Sequence, residues 1–216
     1  MRLRRLAGFA ACAVAITACT PAPAPTPSSA GDGFELVIAT AIDKASNDPL
    51  VSEEQLKALE AAQSEGEVAY DALTAALQDT LACLEQSGFS GGRIVVDESM
   101  GFPLPGINDL VAPETVTDEQ AGAMMDDCQR TTSAYLGTAY TQQPAYQDAY
   151  WALADAAAPD VRRCLEESGV PASAIGDTTS EVIDTAVAYF MELDPELEQY
   201  GSENCMGDLP VPKANR

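Results

Sequence analysis

Histidine is missing from the 216-residue sequence, and its absence removes several kinds of chemistry. A Ser-His-Asp or Cys-His catalytic system needs an imidazole as general base, so neither can be built from this chain. Zinc, copper and non-haem iron sites that depend on His ligands are excluded for the same reason. What is left is carboxylate, Lys, Tyr, Ser or Thr chemistry, or calcium held by oxygen ligands.

Basic side chains are scarce as well. The chain has 11 Lys and Arg residues against 34 Asp and Glu residues, which gives a net charge of −23. An acidic surface of this kind repels nucleic acid and anionic lipid headgroups, so we expect no nucleic-acid partner. It fits a basic partner or bound cations, but an acidic surface that is simply solvated and has no specific role explains it more readily.

Motifs that hold ions or phosphates are missing too. The chain contains no D-x-[DN]-x-[DN]-G calcium loop and no Gly-rich phosphate loop, and we expect no G-x-S-x-G nucleophile elbow. Neighbouring acids such as Asp126 and Asp127 are expected by chance in so acidic a chain. We therefore predict a protein that is not an enzyme, with no cofactor and no metal site.

A short apolar segment follows a basic N-terminus. Residues 2–5 read Arg-Leu-Arg-Arg, and residues 6–18 are almost all apolar or small. A positive start, a short apolar stretch and small residues before the cleavage site are typical of a secretory signal peptide. The stretch is too short to cross a bilayer as a helix. We therefore predict a signal peptide over residues 1–18.

The end of this leader, Ile16-Thr17-Ala18-Cys19, resembles the bacterial lipobox. In proteins with that motif the cysteine sulfur receives a diacylglycerol, and the cysteine becomes the first mature residue. The resemblance implies a lipoprotein that is lipidated on Cys19 and anchored to the cell membrane on its extracytoplasmic face. The alternative is an ordinary secreted protein in which Cys19 has no special role.

Residues 19–33, which follow the leader, are rich in Pro, Ala, Ser and Thr. Such a segment is extended and semi-rigid, so it would act as a tether between the lipidated N-terminus and the domain. We divide the rest of the chain into two parts. Residues 34–140 contain an N-terminal helix and a first repeat unit, and residues 141–216 contain a second repeat unit.

Apolar residues at helical spacing predict a mainly α-helical chain. The first helix is expected over 34–45, where apolar residues recur at intervals of three and four. The next is expected from Ser52, because Gln55 stands at the capping-box position three residues later. Its apolar stripe runs as far as Leu84, with a bend at Gly66. Residues 93–97 are the best strand candidate, and residues 101–106 read as a loop.

Capping residues or Pro mark the starts of four more helices: Thr117 with Gln120, Pro144, Thr178 with Glu181, and Asp194 with Pro195. The first of these helices should bury a face that runs from Ala121 to Leu136. Pro159 should kink or restart the second, because Pro cannot donate the backbone hydrogen bond of a helix interior.

An internal repeat occurs at two predicted helix ends. Residues 83–89 read CLEQSGF and residues 164–170 read CLEESGV. In each copy a Gly stands where a helix ends in a left-handed residue, and the next apolar residue can pack back on the helix. A further helix with one cysteine, Cys128 or Cys205, follows each motif. We interpret this as two tandem helix–connector–helix units, with a minor β segment near 93–97 in the first.

The four cysteines after the tether are Cys83, Cys128, Cys164 and Cys205. They allow three disulfide pairings, and the sequence alone does not select one. The repeat favours Cys83–Cys128 and Cys164–Cys205, one bond in each unit, and export would make such bonds stable. A zinc site of four thiolates is the alternative, although the close C-x-x-C pairs typical of such sites are missing.

The C-L-E-x-S-G motif, placed after a lipobox and a Pro/Ala/Thr tether, resembles small cell-envelope lipoproteins of actinobacteria, most of them uncharacterised. The resemblance covers about residues 1–33 and the two cysteine-bearing units. It implies a location outside the membrane and a helical, disulfide-bonded fold, and it implies no activity.

Five aromatic residues cluster between positions 135 and 151. Rigid, amphipathic rings suit contact with a sugar or a protein. The candidate partner-binding residues are therefore Tyr140, Tyr146, Tyr150 and Trp151. The alternative is that these rings fill the seam between the two units. The apolar loop residues Phe102, Leu104 and Ile107 likewise suit either a partner site or a lid on the core.

These observations predict a lipid-anchored extracytoplasmic lipoprotein that acts as a non-enzymatic binding or interaction module of the cell envelope. Its expected partners are the membrane, through the N-terminal lipid, and an unidentified envelope protein or glycan. Two alternatives stay open. One is an acidic cation-binding regulatory lipoprotein, and the other is an envelope hydrolase that uses a pair of carboxylates.

Overall fold

A computed structural model describes residues 30–193 and Cys205. Within them the chain is mainly α-helical, with a small antiparallel sheet and two disulfide bonds, which confirms the predicted fold class. The elements are α1 (Ala30–Ser46), α2 (Glu53–Glu65), α3 (Tyr70–Gln86), β1 (Arg93–Asp97), β2 (Leu104–Asn108), α4 (Asp118–Thr132), α5 (Ala134–Gln142), α6 (Pro144–Glu167) and α7 (Thr179–Leu193). The predicted signal peptide, Cys19 and the helix expected from Asp194 lie outside the described residues. Residues 30–33, expected in the tether, belong to α1.

The largest hydrophobic core lies where α1, α2, α3 and α5 meet. α1 packs against α2 and α5, and α3 packs against α5 and the sheet. Ile38 of α1, Leu59 of α2, Leu73 of α3 and Leu136 of α5 are all buried there. The three-and-four spacing that predicted the first helix therefore marks the face of α1 that is removed from water.

Gly66 acts differently from what the sequence suggested, and Pro159 does not restart the helix that contains it. Gly66 adopts a left-handed backbone with φ 79° and ends α2, so α3 is a separate helix and not the bent continuation that was predicted. Pro159 lies inside α6, which continues through it without restarting. Ala158 and Val161 on either side are buried in the core between α6 and α7, and this packing offsets the backbone hydrogen bond that Pro cannot make.

The sheet is a hairpin of two antiparallel strands. β1 is the predicted strand, whereas β2 begins within the segment predicted as a loop. Val96 lies opposite Pro105, and Val95 lies opposite Gly106. Pro and Gly are poor strand formers, but Pro is tolerated in a strand with one unpaired edge. Within the described part of the chain β2 pairs only with β1, so it has such an edge.

The two C-L-E motifs end α3 and α6 in the same way. Gly88 and Gly169 both have φ 93°, in the left-handed region. The residue after each Gly donates its N–H to the carbonyl five positions back, from Phe89 to Leu84 at 3.0 Å and from Val170 to Leu165 at 2.9 Å. These are the hydrogen bonds of a Schellman motif, so the interpretation of both helix ends is confirmed.

Both predicted disulfide bonds are present. Cys83 is joined to Cys128 and Cys164 to Cys205, with Cα–Cα distances of 5.7 and 5.4 Å. The first bond ties α3 to α4, and the second ties α6 to Cys205. The four sulfurs are therefore not available to hold zinc. Cys205 itself lies in a turn, whereas the repeat predicted that it would lie on a helix.

Candidate functional site

One wall of the candidate site is formed where α4 gives way to α5. The sequence predicted a single helix that buries residues as far as Leu136, but α4 ends at Thr132. Ser133 has φ −138° and ψ −17°, which departs from helical geometry, and α5 begins with the next residue. At such a break the last carbonyls of one helix and the first N–H groups of the next lose their helical partners.

Gln55 supplies the missing partners from α2. Its side chain is buried at this junction. Its Nε2 atom donates to the carbonyl oxygens of Arg130 and Thr131 in α4, at 3.0 Å each. Its Oε1 atom accepts from the N–H groups of Tyr135 and Leu136 in α5, at 2.9 and 3.4 Å. A single neutral side chain thus satisfies backbone groups on both helix ends.

An ion pair ties the junction to the loop between α1 and α2. The Asp48 side chain is only 4% exposed, and its carboxylate accepts a hydrogen bond from the Arg130 Nε atom. The Tyr135 hydroxyl and the Leu50 N–H donate to the same carboxylate at 3.0 and 3.1 Å. The hydrogen bond from Arg130 lowers the pKa of the Asp48 carboxyl, and this effect outweighs the opposing effect of burial.

Hydroxyl groups hold the junction to α3. The Thr80 Oγ1 atom lies 2.6 Å from the Thr132 hydroxyl and 2.8 Å from the Ser133 hydroxyl. Thr80 is fully buried, and Ser133 is 4% exposed. Because each hydroxyl both donates and accepts, this cluster fixes the distance between α3 and the α4–α5 break.

A cleft of about 330 Å³ opens between α3, the sheet and the α4–α5 junction. Five aliphatic residues are part of its lining: Leu73, Leu77, Val95, Leu104 and Pro105. The polar residues of the lining are Asp97, Asn108, Gln129, Ser133, Thr138 and Thr141. An apolar surface with a few polar groups around it is the usual composition of a ligand site, so the cleft is the candidate binding site.

The register of the hairpin places most of its cleft-lining residues on one face of the sheet, with Pro105 as the exception. Val95 lies opposite Gly106, and Asp97 lies opposite Leu104. Alternate residues of a strand share a face, so these four residues lie on one side of the sheet, and all four line the cleft. Ile107, on the other side, packs against the buried cluster around Cys128.

A carboxylate and two threonine hydroxyls supply oxygen acceptors in the cleft. Asp97 is the single ionisable residue among the described residues that line it, and its Oδ1 atom accepts a hydrogen bond from the Ser99 N–H at 2.9 Å. The hydroxyls of Thr138 and Thr141 donate to helix carbonyls of α5. Since each hydroxyl has one proton, these two oxygens can then act only as acceptors toward a ligand.

The structure corrects the prediction that Tyr140 and Tyr146 form a partner-binding surface. Both are buried, at 1% and 2% exposure. Their rings pack against Phe102, with centroids 5.2 and 5.7 Å away, and the Tyr140 hydroxyl donates to the Pro103 carbonyl at 2.6 Å. These large apolar rings therefore hold the hairpin loop on the core. Burial also raises the pKa of the Tyr140 hydroxyl to about 12.

Tyr150 and Trp151, both on α6, are less buried than Tyr140 and Tyr146. Trp151 is 39% exposed, and its ring packs edge-on against that of Tyr150 at 5.3 Å. Neither residue lines the cleft. The four predicted partner-binding residues therefore do not form one site. Of the three loop residues considered with them, Leu104 lines the cleft, whereas Phe102 and Ile107 pack against buried clusters.

Residues 88–92 read Gly-Phe-Ser-Gly-Gly and match the G-x-S-x-G nucleophile pattern, which the sequence reasoning missed. That pattern signals a nucleophile when it joins a strand to a helix. Here it follows the end of α3 and leads into β1, and Ser90 is bridged to Val111 through backbone hydrogen bonds. With no His in the chain to act as base, the match does not indicate a nucleophile.

The part of the chain that the structure describes contains no group of three or more Cys, Asp or Glu side chains suited to a metal ion. None of the helices in residues 30–193 combines the length and the apolar character needed to cross a membrane. Comparison with known protein families, curated proteins and solved structures finds no match for this chain.

Proposed function

We propose that this protein is a lipid-anchored, extracytoplasmic binding module of the cell envelope, and that the cleft between α3, the sheet and the α4–α5 junction is its contact site. The observation that carries the contact site is a cleft lined by five aliphatic residues together with six polar ones. The anchor rests on the leader and on the lipobox-like segment that ends at Cys19. The partner is an envelope protein or a glycan.

Binding fits the cleft better than catalysis does. A carboxylate-dependent hydrolase needs two carboxyl groups on either side of the bond that it cleaves. Among the described residues that line the cleft there is one carboxylate, that of Asp97. The cation-binding alternative has no arrangement of ligands in its favour within the described residues.

The anchor is tested by substituting Cys19 with Ala and separating membranes from soluble material. Lipidation with two or more chains gives stable attachment, so the wild-type protein should sediment with membranes. Cys19→Ala should release the protein or block its processing. Cys12→Ala is the matched control, since Cys12 lies in the predicted leader and its loss should change nothing. Full membrane attachment of Cys19→Ala would overturn the proposed anchor.

The contact site is tested by photocrosslinking in intact cells. A photoreactive residue at Thr138, an exposed residue of the cleft, should form adducts with an envelope component. The same residue at Gly122 of α4, which does not line the cleft, should not. Adducts that form equally from both positions, or from neither, would count against the cleft as the contact site.

A further inference from the structure

We infer that the cleft binds an extended, uncharged peptide segment, with one aliphatic side chain in the cleft and with backbone amides paired to the edge of β2 and to Asn108 and Gln129. This inference rests on the proposed function and specifies the partner as a neutral, apolar stretch of an envelope protein. It combines three observations, which are the unused side-chain amides of the lining, the position of the β2 edge and the aliphatic residues.

Two side-chain amides of the lining are available to a ligand. Asn108 and Gln129 both line the cleft, and within the described part of the chain their side chains make no hydrogen bond. Each side-chain amide has two N–H donors and one carbonyl acceptor, and a backbone peptide group likewise has a donor and an acceptor. The two side chains therefore complement peptide groups. A carboxylate could use only their donors, and an ammonium group only their acceptors.

The rest of the lining favours an uncharged ligand. No Lys or Arg is among the described residues of the lining, so a ligand anion would find no cation there. The Asp97 carboxylate already has partners within the chain, among them the Ser99 N–H, so a ligand cation would have to compete for it. Burying a charge without an ion partner is costly, whereas a peptide group needs only hydrogen bonds. An uncharged segment therefore loses the least on leaving water.

The edge of β2 favours an extended peptide. β1 contributes Val95 and Asp97 to the lining, which are alternate residues on one face of the sheet. β2 contributes the consecutive residues 104–106 as well as Asn108. Since Pro105 lies on the opposite face from its two neighbours, the cleft reaches past the edge of β2. Within the described residues that edge is unpaired, so an extended peptide can add to it as a further strand.

The apolar part of the lining selects the side chain that enters the cleft. Five of the lining residues are aliphatic, and none of the described ones is aromatic. They therefore offer apolar surface to an aliphatic side chain, but no ring on which a sugar could pack. The volume of about 330 Å³ is near the lower end of the range for ligand sites, roughly 300 to 1,000 Å³. This size suits a short segment better than a folded surface.

Gly137 allows the cleft to be filled without disturbing the fold. It lines the cleft on α5, and a Cβ atom there would be 3.9 Å from Leu73 Cδ1, an ordinary van der Waals distance. Gly137→Leu should therefore place its side chain in the cleft. Gly122→Leu is the matched control, because Gly122 also lies within a helix and a Cβ there meets nothing within 4 Å. Both changes replace a poor helix former by a good one.

Gln129→Glu tests the role of the side-chain amide. It keeps the length of the side chain but replaces the two N–H donors by an acceptor-only carboxylate. We expect it to weaken peptide binding by about five- to tenfold, as for the loss of one hydrogen bond. Gln78→Glu is the matched control, because Gln78 is an exposed residue of α3 that does not line the cleft. It adds the same charge to the chain and should leave binding unchanged.

The experiment measures peptide binding to the mature protein in nanodiscs of neutral phosphatidylcholine by fluorescence anisotropy. The first probes are three labelled peptides with capped ends and neutral flanking residues, which differ only in a central Leu, Lys or Glu. We expect the Leu peptide to bind best and its affinity to change little as the salt concentration rises. Gly137→Leu should abolish its binding, and Gly122→Leu should leave it unchanged.

Two further probes test the pairing with β2. They are Leu peptides that carry N-methyl groups on one or the other set of alternate backbone amides. Only alternate N–H groups of a strand point toward its neighbour, so one set of methyl groups should abolish binding and the other should not. A labelled N-acetylglucosamine trisaccharide is the probe for a neutral glycan, and we expect it not to bind.

The inference is overturned if the Leu peptide does not bind, or if the Lys or Glu peptide binds as tightly. It is also overturned if both N-methylated peptides bind like the unmodified one, or if Gly137→Leu or Gln129→Glu leaves binding unchanged. Binding of the trisaccharide in place of the Leu peptide would make the partner a glycan. These results are separate from those that test the proposed function. Adducts at Thr138 without binding of the Leu peptide would remove the peptide as partner and leave the binding module standing, whereas absence of adducts at Thr138 would remove the contact site itself.

Discussion

The Gln55 Oε1 atom accepts a hydrogen bond of 2.9 Å from the backbone N–H of Tyr135, 80 residues further along the chain. The same side chain donates to the last carbonyls of α4. Because α4 and α5 form one wall of the cleft, the position of that wall depends on a residue of α2 that does not touch the cleft. Gln55 is therefore a positioning residue for the candidate site.

Removing this side chain should destabilise the protein strongly. Gln55→Ala removes the side-chain partner of the Arg130 carbonyl and of the Tyr135 and Leu136 N–H groups. Each buried group left unsatisfied costs about 1–3 kcal/mol. We expect a loss of about 3 kcal/mol in the free energy of unfolding, measured by urea denaturation. Gln63→Ala, on the exposed side of the same helix, is the control and should change it by less than about 0.5 kcal/mol. If the two variants were equally stable, the role given to Gln55 would be wrong.

The Asp48–Arg130 ion pair should make stability depend on pH in the acid range. The pKa of the Asp48 carboxyl is lower in the folded state than the value of about 3.9 expected for the unfolded chain. A lowered pKa contributes stability above the unfolded-state value, and that contribution is lost as the pH falls through the folded-state value.

The difference in unfolding free energy between wild type and Asp48→Asn should therefore be largest near neutral pH and shrink in acid. Urea denaturation at a series of pH values measures it. Asp79→Asn, an exposed change on α3, controls for the removal of one negative charge. A difference that stays constant down to about pH 2 would contradict the assigned role of the ion pair.

The free energy of unfolding should respond differently to the loss of the hydroxyl at two buried tyrosines. The Tyr140 hydroxyl donates to Pro103, so Tyr140→Phe should lower the free energy of unfolding by about 1 kcal/mol. The Tyr146 hydroxyl is buried without a hydrogen-bond partner in the described part of the chain. Tyr146→Phe should therefore leave stability unchanged or raise it. Thermal and urea unfolding of the two variants side by side test this, and a larger loss for Tyr146→Phe would refute it.

Each disulfide bond should contribute to stability by lowering the conformational entropy of the unfolded chain. The bonds join cysteines 45 and 41 positions apart. In the loop-entropy treatment a loop of this length contributes about 4 kcal/mol. Replacing both Cys83 and Cys128 by Ala should lower the free energy of unfolding by about that amount. The Cys164 and Cys205 pair should behave alike, and a negligible loss for either pair would contradict the prediction.

Signals that act within a few residues predicted local structure well. Thr117 and Gln120 form a complete capping box at the start of α4. Glu181 and Thr178 exchange the equivalent hydrogen bonds before α7. In each case the partners are three positions apart, so the sequence contains all the information needed to recognise them.

Gln55 shows that such local signals do not predict contacts between residues distant in sequence. Its N–H donates to the Ser52 hydroxyl at 3.1 Å, as the capping-box spacing predicted. Its side chain does not return to Ser52, because tertiary packing places it against the α4–α5 junction. The Ser52 N–H donates instead to the Thr131 carbonyl at 2.9 Å. No pattern around residue 55 indicates partners 75 or more residues away.

The cleft was beyond prediction for a related reason. Its lining comes from α3, both strands, α4 and α5, so it exists only after these elements pack together. Pro105 and Gly106, which are poor strand formers, concealed β2, the strand that contributes residues 104–106 and Asn108 to the lining. Polar residues such as Asn108 and Thr138 carry no sequence signal that separates them from solvated surface residues. The aromatic cluster gave a strong signal, but large rings are as suited to a core as to an interface.

The repeated helix ends provide a final prediction, in which two equivalent glycines respond to the same change by different amounts. Gly88 and Gly169 share φ 93°, so a Cβ at either position is strained by the left-handed backbone. At Gly169 that Cβ would meet nothing within 4 Å, whereas at Gly88 it would lie 3.2 Å from a side-chain carbon of Pro113. Gly169→Ala should therefore cost about 1–2 kcal/mol of unfolding free energy, and Gly88→Ala should cost more. Gly122→Ala, within α4 and without a positive φ, should stabilise the protein by up to about 1 kcal/mol. Equal losses at Gly88 and Gly169, measured by urea denaturation, would show that Pro113 moves away without cost and that the two helix ends are energetically interchangeable.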